Sequence, residues 1–177
     1  MNASTRPRLL LHVCCAPCAT HCIEVLQPRY GVTLFFANSN IAPHAEFAQR
    51  LEHARRLVAL YRVPLIEDAC DHAAWQCAVA GLETEPERGR RCAACIAFNL
   101  ERTARYARCN RFDAFTTTLT ISPHKDARQI FEIGARFGPF LSIDFKQNGG
   151  FAHSVALSKH YGLYRQDYCG CEFSQRT

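Results

Sequence analysis

The chain has 177 residues, a formal net charge of +5 and eleven cysteines, and no stretch of it approaches the roughly 18 apolar residues of a membrane span. This length suits one domain with a substantial core, and the polar segment Met1–Arg8 lacks the apolar part of a signal peptide. We therefore expect a cytoplasmic protein with no membrane partner. In that compartment clustered cysteines are more typical of metal or redox sites than of structural disulfides.

Apolar runs and helical periodicity alternate along the chain. The predicted strands, in chain order, are Leu9–Val13, Val32–Ala37, Val63–Ile66 and about Phe112–Thr118, with a short extended piece at Phe140–Ile143. The predicted helices are Pro17–Gln27, His44–Arg62, Asp71–Ala80, Cys92–Cys109, Ser122–Phe137 and Ala152–His160. This alternation predicts one α/β domain over residues 1–177, a parallel sheet flanked by helices on both faces, followed by an irregular tail at 161–177.

Polar and thiol side chains stand where three of the predicted strands end. These segments are Cys14–Cys15, Asn38–Asn40 and Thr116–Thr118. Ligands of open parallel sheets bind at the carboxyl ends of the strands. The three segments are therefore expected to border one active-site crevice.

The first strand is followed by Cys14-Cys15-Ala16-Pro17-Cys18, where many nucleotide-binding domains have a glycine-rich phosphate loop. Without glycine this turn cannot easily cradle phosphate. It presents thiols at a helix N-terminus, where the helix dipole favours the thiolate form that binds metal. We therefore interpret Cys14 and Cys15 as metal ligands, with Cys18 in reserve.

Cys92 and Cys95 lie three residues apart in the first turn of a predicted helix, next to Arg90 and Arg91. Such a pair is compatible with zinc, an iron–sulfur cluster or a thioredoxin-like dithiol. Together with Cys14 and Cys15 it makes a set of four thiolates. Spacing alone does not separate zinc from a [4Fe–4S] cluster.

Cys169-Gly170-Cys171 near the C-terminus has a different character. Cysteines one residue apart can close a small strained disulfide bond, and strained bridges are the redox-active kind; zinc ligation is the alternative. The neighbouring Asp167 and Tyr168 offer acidic groups. We interpret the remaining cysteines as core residues: Cys22, Cys70, Cys77 and Cys109.

The basic residues are almost all arginine, 18 against 3 lysines, which suits a phosphate or nucleic-acid partner because guanidinium binds phosphate bidentately. Genomic base content produces the same bias. Arg102, Arg105 and Arg108 form a stripe along one helix, interpreted either as a solvated face or as a phosphate-tracking surface. His124 and Lys125 at a helix start are further candidates for substrate or phosphate contact, whereas His12 on the first strand is interpreted as a core histidine.

Six collinear segments of the chain resemble the cobalamin-independent epoxyqueuosine reductases, the QueH family. The segments are Leu10–Cys18, Asn38-x-Asn40-Ile41, Arg91-Cys92-x-x-Cys95, Phe115–Lys125, Asp144-Phe145-Lys146 and Tyr161–Cys171. They span nearly the whole chain. One departure is Ser39, where an Asn-Pro-Asn turn would have proline.

The resemblance implies an adenine-nucleotide α-hydrolase-like fold and an oxidoreductase of tRNA processing. Such an enzyme removes the epoxide oxygen of epoxyqueuosine at the wobble position of tRNA, the last step of queuosine biosynthesis. It implies a [4Fe–4S] cluster held by Cys14, Cys15, Cys92 and Cys95, and a redox-active pair formed by Cys169 and Cys171, which can close a disulfide bond.

Deoxygenation of an epoxide to an alkene consumes two electrons and two protons, so an external electron donor is required. A mononuclear iron or zinc beside the cluster is compatible with this chemistry, and Asp167, Tyr168 or His124 are candidate proton donors. Two other functions stay open from the residues alone. They are a zinc-stabilised RNA-binding module and a thiol–disulfide oxidoreductase.

Overall fold

The computed structural model describes residues 6–174 and contains a four-stranded sheet, six α-helices and three short 3-10 helices within that range. The strands are β1 (Arg8–His12), β2 (Gly31–Phe36), β3 (Leu65–Glu67) and β4 (Ala114–Thr117). The helices are α1 (Ala16–Leu26), α2 (His44–Tyr61), α3 (His72–Val79), α4 (Arg90–Cys109), α5 (Ala127–Ala135) and α6 (Gly150–His160). The first five and last three residues of the predicted domain, including the end of the 161–177 tail, lie outside the described residues.

All strands of the sheet run parallel in the order β3-β2-β1-β4. Strand β1 is central, with Leu10 opposite Thr33 of β2 and Phe115 of β4. Because helices cover this strand on both faces, its three consecutive residues Leu9, Leu10 and Leu11 are all apolar and buried. The predicted α/β class with a parallel sheet is confirmed.

Helices cover both faces of the sheet, as predicted. Leu9 and Leu11 point to one face, where they join a buried cluster with α1 and α2. Leu10 points to the other face, where its cluster includes Leu100 of α4 and Ile130 of α5. The alternation of side chains along a strand thus gives β1 a role in both cores.

The largest difference from the predicted boundaries is in the fifth helix, whereas most other predicted ends shift by one or two residues. The fifth helix starts at Ala127 rather than at Ser122, because the Asp126 carboxylate accepts a hydrogen bond from Arg128 N at 2.9 Å and caps it. The preceding residues Thr118–Ile121 form a separate 3-10 helix. The extended piece at 140–143 contributes a single bridge, between Phe140 and Phe115.

The assignment of four cysteines to the core is correct for one of them. Cys22 is fully buried in α1, whereas Cys70, Cys77 and Cys109 are exposed. Cys70 lies in the loop after β3, Cys77 on the outer side of α3 and Cys109 at the end of α4, where the sheet does not cover them. No helix in the described part of the chain is both long and apolar enough to cross a membrane.

Candidate metal and redox site

Three strand ends meet at one edge of the sheet, as the sequence predicts. The Asn38 side chain after β2 donates a hydrogen bond to Val13 O at 2.8 Å. After β4, Thr118 Oγ1 accepts from Cys14 N at 3.1 Å and donates to Cys14 Sγ at 3.2 Å. The turn that carries the first cysteines is thereby fixed to both neighbouring strands.

His12 is a buried structural residue beneath this turn. Its Nδ1 lies 2.8 Å from Thr117 Oγ1 and its Nε2 lies 3.1 Å from Ala37 O. Burial lowers the pKa of this imidazole, which favours the neutral ring. The interpretation of His12 as a core histidine is confirmed.

Cys14, Cys15 and Cys18 form a compact group of thiols at the start of α1. Their three sulfur atoms lie within 4.8 Å of one another, and Cys14 Sγ is 3.9 Å from Cys15 Sγ. Cys15 is buried and the other two are half-buried. Thiolates bound to a single tetrahedral ion at about 2.3 Å would lie about 3.8 Å apart, so this group has the spacing of metal ligands.

The three thiols differ in how readily they ionise. Hydrogen bonds from Cys14 and Cys18 lower the pKa of Cys15 well below its usual value. The hydrogen bond to Cys15, together with burial, raises the pKa of Cys14 to about 11. The pKa of Cys18 is raised as well, since it donates to the other two sulfurs. Cys15 is thus the thiol that ionises most readily, and a bound cation would favour ionisation of the other two.

The two cysteines of α4 have different surroundings. Cys95 is near Trp75, Asn99 and Cys169, and burial raises its pKa to about 12. Cys92 lies one turn earlier, where its sulfur accepts a hydrogen bond from Arg88 N at 3.2 Å. Within residues 6–174 neither belongs to the compact thiol group, whose sulfurs are those of Cys14, Cys15 and Cys18.

Lys125 connects the separate thiols electrostatically. Its Nζ lies 3.3 Å from Cys169 Sγ. Burial alone would lower the pKa of this ammonium group, but the thiols of Cys169, Cys95 and Cys14 outweigh it and the pKa is raised. Lys125 therefore faces the cysteines as a cation.

A buried ion pair holds the Cys169–Cys171 turn in place. Arg50 of α2 donates to Cys169 O at 3.0 Å and to Tyr168 O at 3.3 Å. Its Nε contacts Glu46 Oε1 at 2.6 Å, with both side chains almost inaccessible. Gly170 between the cysteines has φ of +130°, and a Cβ there would come within 3.0 Å of the guanidinium. The tail is irregular, as predicted, but it is anchored to α2.

Removing the charge of Glu46 should destabilise the protein strongly. Glu46→Gln leaves a buried guanidinium without its carboxylate, so we expect the free energy of unfolding to fall by about 3 kcal/mol. The matched control is Glu52→Gln on the same helix. The Glu52 side chain is 66% exposed, so this substitution should lower the free energy of unfolding by less than about 1 kcal/mol. Denaturant unfolding measures both; equal effects of the two substitutions would contradict the assigned role of the ion pair.

The candidate proton donors near the tail are not equivalent. Asp167 is exposed, while Tyr168 is half-buried and its hydroxyl donates to Ala42 O at 2.8 Å. His124 is exposed and its Nδ1 lies 3.3 Å from the Arg88 guanidinium. His124 and Asp167 are therefore open to solvent, whereas Tyr168 helps hold the tail.

Only part of the arginine stripe on α4 is exposed to solvent. Arg102 forms an ion pair with Asp68 at 2.6 Å and also donates to Ala69 O. Arg105 and Arg108 are exposed. Two of the three guanidinium groups therefore face solvent.

The residues around the thiols fit a bound metal centre. Two buried oxygen atoms beside the cysteines lack a hydrogen-bond partner in the described part of the chain, Asn99 Oδ1 and Gln166 Oε1. Asn99 is next to Cys95, and Gln166 is next to Cys15. Orphaned buried polar atoms of this kind are typical of sites that hold an ion or water.

Sequence reasoning missed the residues that arrange the site. Glu46, Arg50 and Asn99 are spread over two amphipathic helices, and no local pattern separates them from solvent-facing residues. The only signal was their position, since Glu46 and Arg50 stand at helical spacing and pair on one face. Asn99 is one turn beyond Cys95 and donates to Asn40 Oδ1 at 2.9 Å.

The sequence matches known proteins over nearly its full length. A model of the family "Epoxyqueuosine reductase QueH" matches residues 9–177. A relative of that name from Streptococcus pyogenes serotype M1 is 38% identical, over 98% of this chain and 72% of the relative. Others of that name are 36% identical in Staphylococcus epidermidis (96% and 76%) and 37% identical in Thermotoga maritima (94% and 89%).

The family expected from the six sequence segments is thus confirmed by an independent comparison. The match includes both the cysteine turn after β1 and the Cys169–Cys171 tail. This chain therefore belongs to the epoxyqueuosine reductase QueH family and is an oxidoreductase.

Proposed function

We propose that this protein reduces epoxyqueuosine to queuosine at the wobble position of tRNA, the last step of queuosine biosynthesis in the cytoplasm. The observation that carries the proposal is the gathering of three thiols, spaced as metal ligands are, at one edge of the sheet. Cys14, Cys15 and Cys18 form the compact group, and Lys125 contacts the Cys169 thiol and interacts electrostatically with Cys14. The family membership supplies the substrate class.

A [4Fe–4S] cluster held by Cys14, Cys15, Cys92 and Cys95 is the cofactor that we propose. Cys18 is the reserve ligand, and its closeness to Cys14 and Cys15 also suits an adjacent mononuclear iron or zinc. When bound, such a centre supplies electrons and, at a metal ion, Lewis acidity.

The electron and proton balance identifies a role for the tail cysteines. Loss of the epoxide oxygen as water, with formation of the C=C bond, takes up two electrons and two protons. Oxidation of the Cys169 and Cys171 thiols to a disulfide releases two electrons and two protons. The pair therefore balances one reduction, and an external electron donor must then cleave the disulfide to restore both thiols.

The charge of Lys125 suits this role. An ammonium group 3.3 Å from Cys169 Sγ stabilises negative charge on a reacting sulfur. Protons for the departing oxygen would come from an acid near the same edge. Asp167 and His124 are open to solvent, and Tyr168 is the third candidate.

The tRNA is expected to bind through exposed basic side chains. Arg105 and Arg108 on α4 and His124 near the site are exposed, while Arg102 is partly neutralised by Asp68. Phosphate contacts release counterions, so the affinity should fall steeply with salt. The proposed surface consists of Arg102, Arg105, Arg108 and His124; Lys125, also a sequence candidate, is turned to the thiols.

Charge removal tests this surface and the substrate together. In Arg105→Gln/Arg108→Gln we expect weaker binding of epoxyqueuosine-containing tRNA and a slope of log K against log salt that is smaller by about 1 to 2. Conversion to queuosine at saturating tRNA should remain. Affinity is measured between low and moderate salt, and the product by mass spectrometry of nucleosides.

The matched control is Arg128→Gln/Arg136→Gln, which removes two exposed arginines at the α5 end of the molecule. An unchanged salt slope in the α4 variant would make the stripe a solvated face. Failure of the unaltered protein to form queuosine, with a reductant present, would contradict the proposed reaction itself.

One structural feature favours a second function, a zinc-stabilised RNA-binding module. The 3.9 Å separation of Cys14 and Cys15 sulfurs is close to the separation on one tetrahedral zinc ion. Such a module would bind tRNA without changing its nucleosides.

A thiol–disulfide oxidoreductase acting through Cys92 and Cys95 would reduce protein disulfides in the absence of iron and tRNA.

A further inference from the structure

A second group of metal-binding side chains lies away from the cysteines, between α1 and α6. His21 and Glu24 are three residues apart on α1 and share one face of that helix. His153 reaches them from α6. The three ligand atoms lie within 4.8 Å of one another.

The three side chains of this group already contact one another. His153 Nε2 is 2.8 Å from Glu24 Oε2, and the rings of His21 and His153 meet edge-on with centroids 5.4 Å apart. The His21 ring forms no hydrogen bond with any residue between 6 and 174. Two imidazoles and a carboxylate are the donor set of many zinc sites, usually completed by water.

The surroundings hold these side chains in position. Glu24 Oε1 accepts a hydrogen bond from Tyr61 at 3.3 Å, which leaves Oε2 directed to the histidines. Gly150, the first residue of α6, has no side chain, and a Cβ there would come within 2.6 Å of His21 Nε2. Support of a ligating carboxylate by a neighbouring hydroxyl is typical of metal sites.

Only small movements would bring the three donors onto one ion. Donor atoms on a tetrahedral zinc ion, each about 2.0–2.1 Å from it, lie about 3.3 Å apart. The present separations, 2.8 Å for one pair and up to 4.8 Å for the group, bracket that value. His153 and Glu24 are 49% and 38% exposed, so their rotamers can adjust.

We propose that His21, Glu24 and His153 form a binding site for one Zn²⁺ ion that links α6 to α1. The ion stabilises the fold by joining two helices. One of these helices is α1, which has Cys15 as its N-cap residue and Cys18 in its first turn. The site is independent of the function proposed above, since none of its residues belongs to the cysteine site.

Zinc counting tests the proposal. The anaerobically purified protein is mixed with excess ZnCl2, freed of unbound metal by gel filtration and analysed for zinc. We expect one zinc ion per chain fewer in His153→Ala and in Glu24→Gln than in the unaltered protein. His160→Ala, which removes an exposed histidine from the same helix, should match the unaltered protein. Zinc bound to the cysteines is present in the unaltered protein and in all three variants, so it does not contribute to the difference in zinc content.

Thermal unfolding gives a second readout. Zinc at about 100 times its Kd should raise the Tm of the unaltered protein and of His160→Ala by about 5 °C or more relative to its effect on His153→Ala. Equal zinc contents and equal Tm shifts in all four proteins would overturn the site. The cysteine chemistry would be untouched by that result, because queuosine formation is measured separately.

Discussion

Replacing Cys169 and Cys171 together by serine is expected to abolish repeated turnover while leaving the metal centre in place. Without this pair the electron donor has no dithiol to restore, so multiple-turnover formation of queuosine should fall on the order of 100-fold or more. The variant should keep the brown colour of an iron–sulfur cluster and bind tRNA normally. The separation is proposed from the contacts of the tail, where Arg50 of α2 donates to Cys169 O and the Lys125 ammonium group lies 3.3 Å from Cys169 Sγ.

The control for this experiment is Cys70→Ser/Cys77→Ser. Both of these cysteines are exposed, and neither takes part in the proposed chemistry, so turnover should be unchanged. Thiol counting on the unaltered protein should show one pair that switches between oxidised and reduced forms under mild conditions. A colourless Cys169→Ser/Cys171→Ser variant would instead make the tail cysteines metal ligands and contradict the proposed division of roles.

The second large effect concerns the cluster ligands. Single alanine substitutions of Cys14, Cys15, Cys92 and Cys95 should each remove most of the iron and reduce activity on the order of 100-fold or more. Cys109→Ser is the matched control, since this cysteine lies on the same helix as Cys92 and Cys95 but is exposed at its far end.

Cys18 decides between two ligand sets. If Cys92 is the fourth ligand, Cys18→Ser retains the cluster iron and Cys92→Ala loses it. If the compact thiol group supplies the ligands, the outcomes are reversed: Cys18→Ser loses iron and Cys92→Ala keeps it. The structure makes this comparison necessary, because it groups Cys18 with Cys14 and Cys15 and places Cys92 against the Arg88 backbone.

Much of the fold could be predicted because its elements carry local signals. The apolar run of β1 and the spacing of α2 and α4 identify them without knowledge of their neighbours. The start of α5 was wrong because Ser122 and Asp126 are both good N-cap residues. Only the tertiary structure shows that a 3-10 helix ends at Ile121 and that residues 122–126 form a turn before the helix begins.

Only those parts of the site that carry a local sequence signal could be predicted. Two adjacent cysteines between a buried strand and a helix N-terminus are a strong local signal, so Cys14 and Cys15 could be predicted from the sequence. The contact of Lys125 with Cys169 joins residues 44 positions apart, and that of Arg50 with Cys169 joins residues 119 apart. Such pairings depend on how α2, the α5 approach and the tail pack together, which no single segment encodes.

Iron analysis of the anaerobically prepared protein tests the central claim most directly. An iron–sulfur reductase predicts a brown protein with roughly four irons per chain and a matching amount of acid-labile sulfide, as one [4Fe–4S] cluster requires. Zinc at the proposed α1–α6 site would not alter the iron count. A colourless protein with zinc bound to its cysteines, and no iron uptake on reconstitution, would contradict the account.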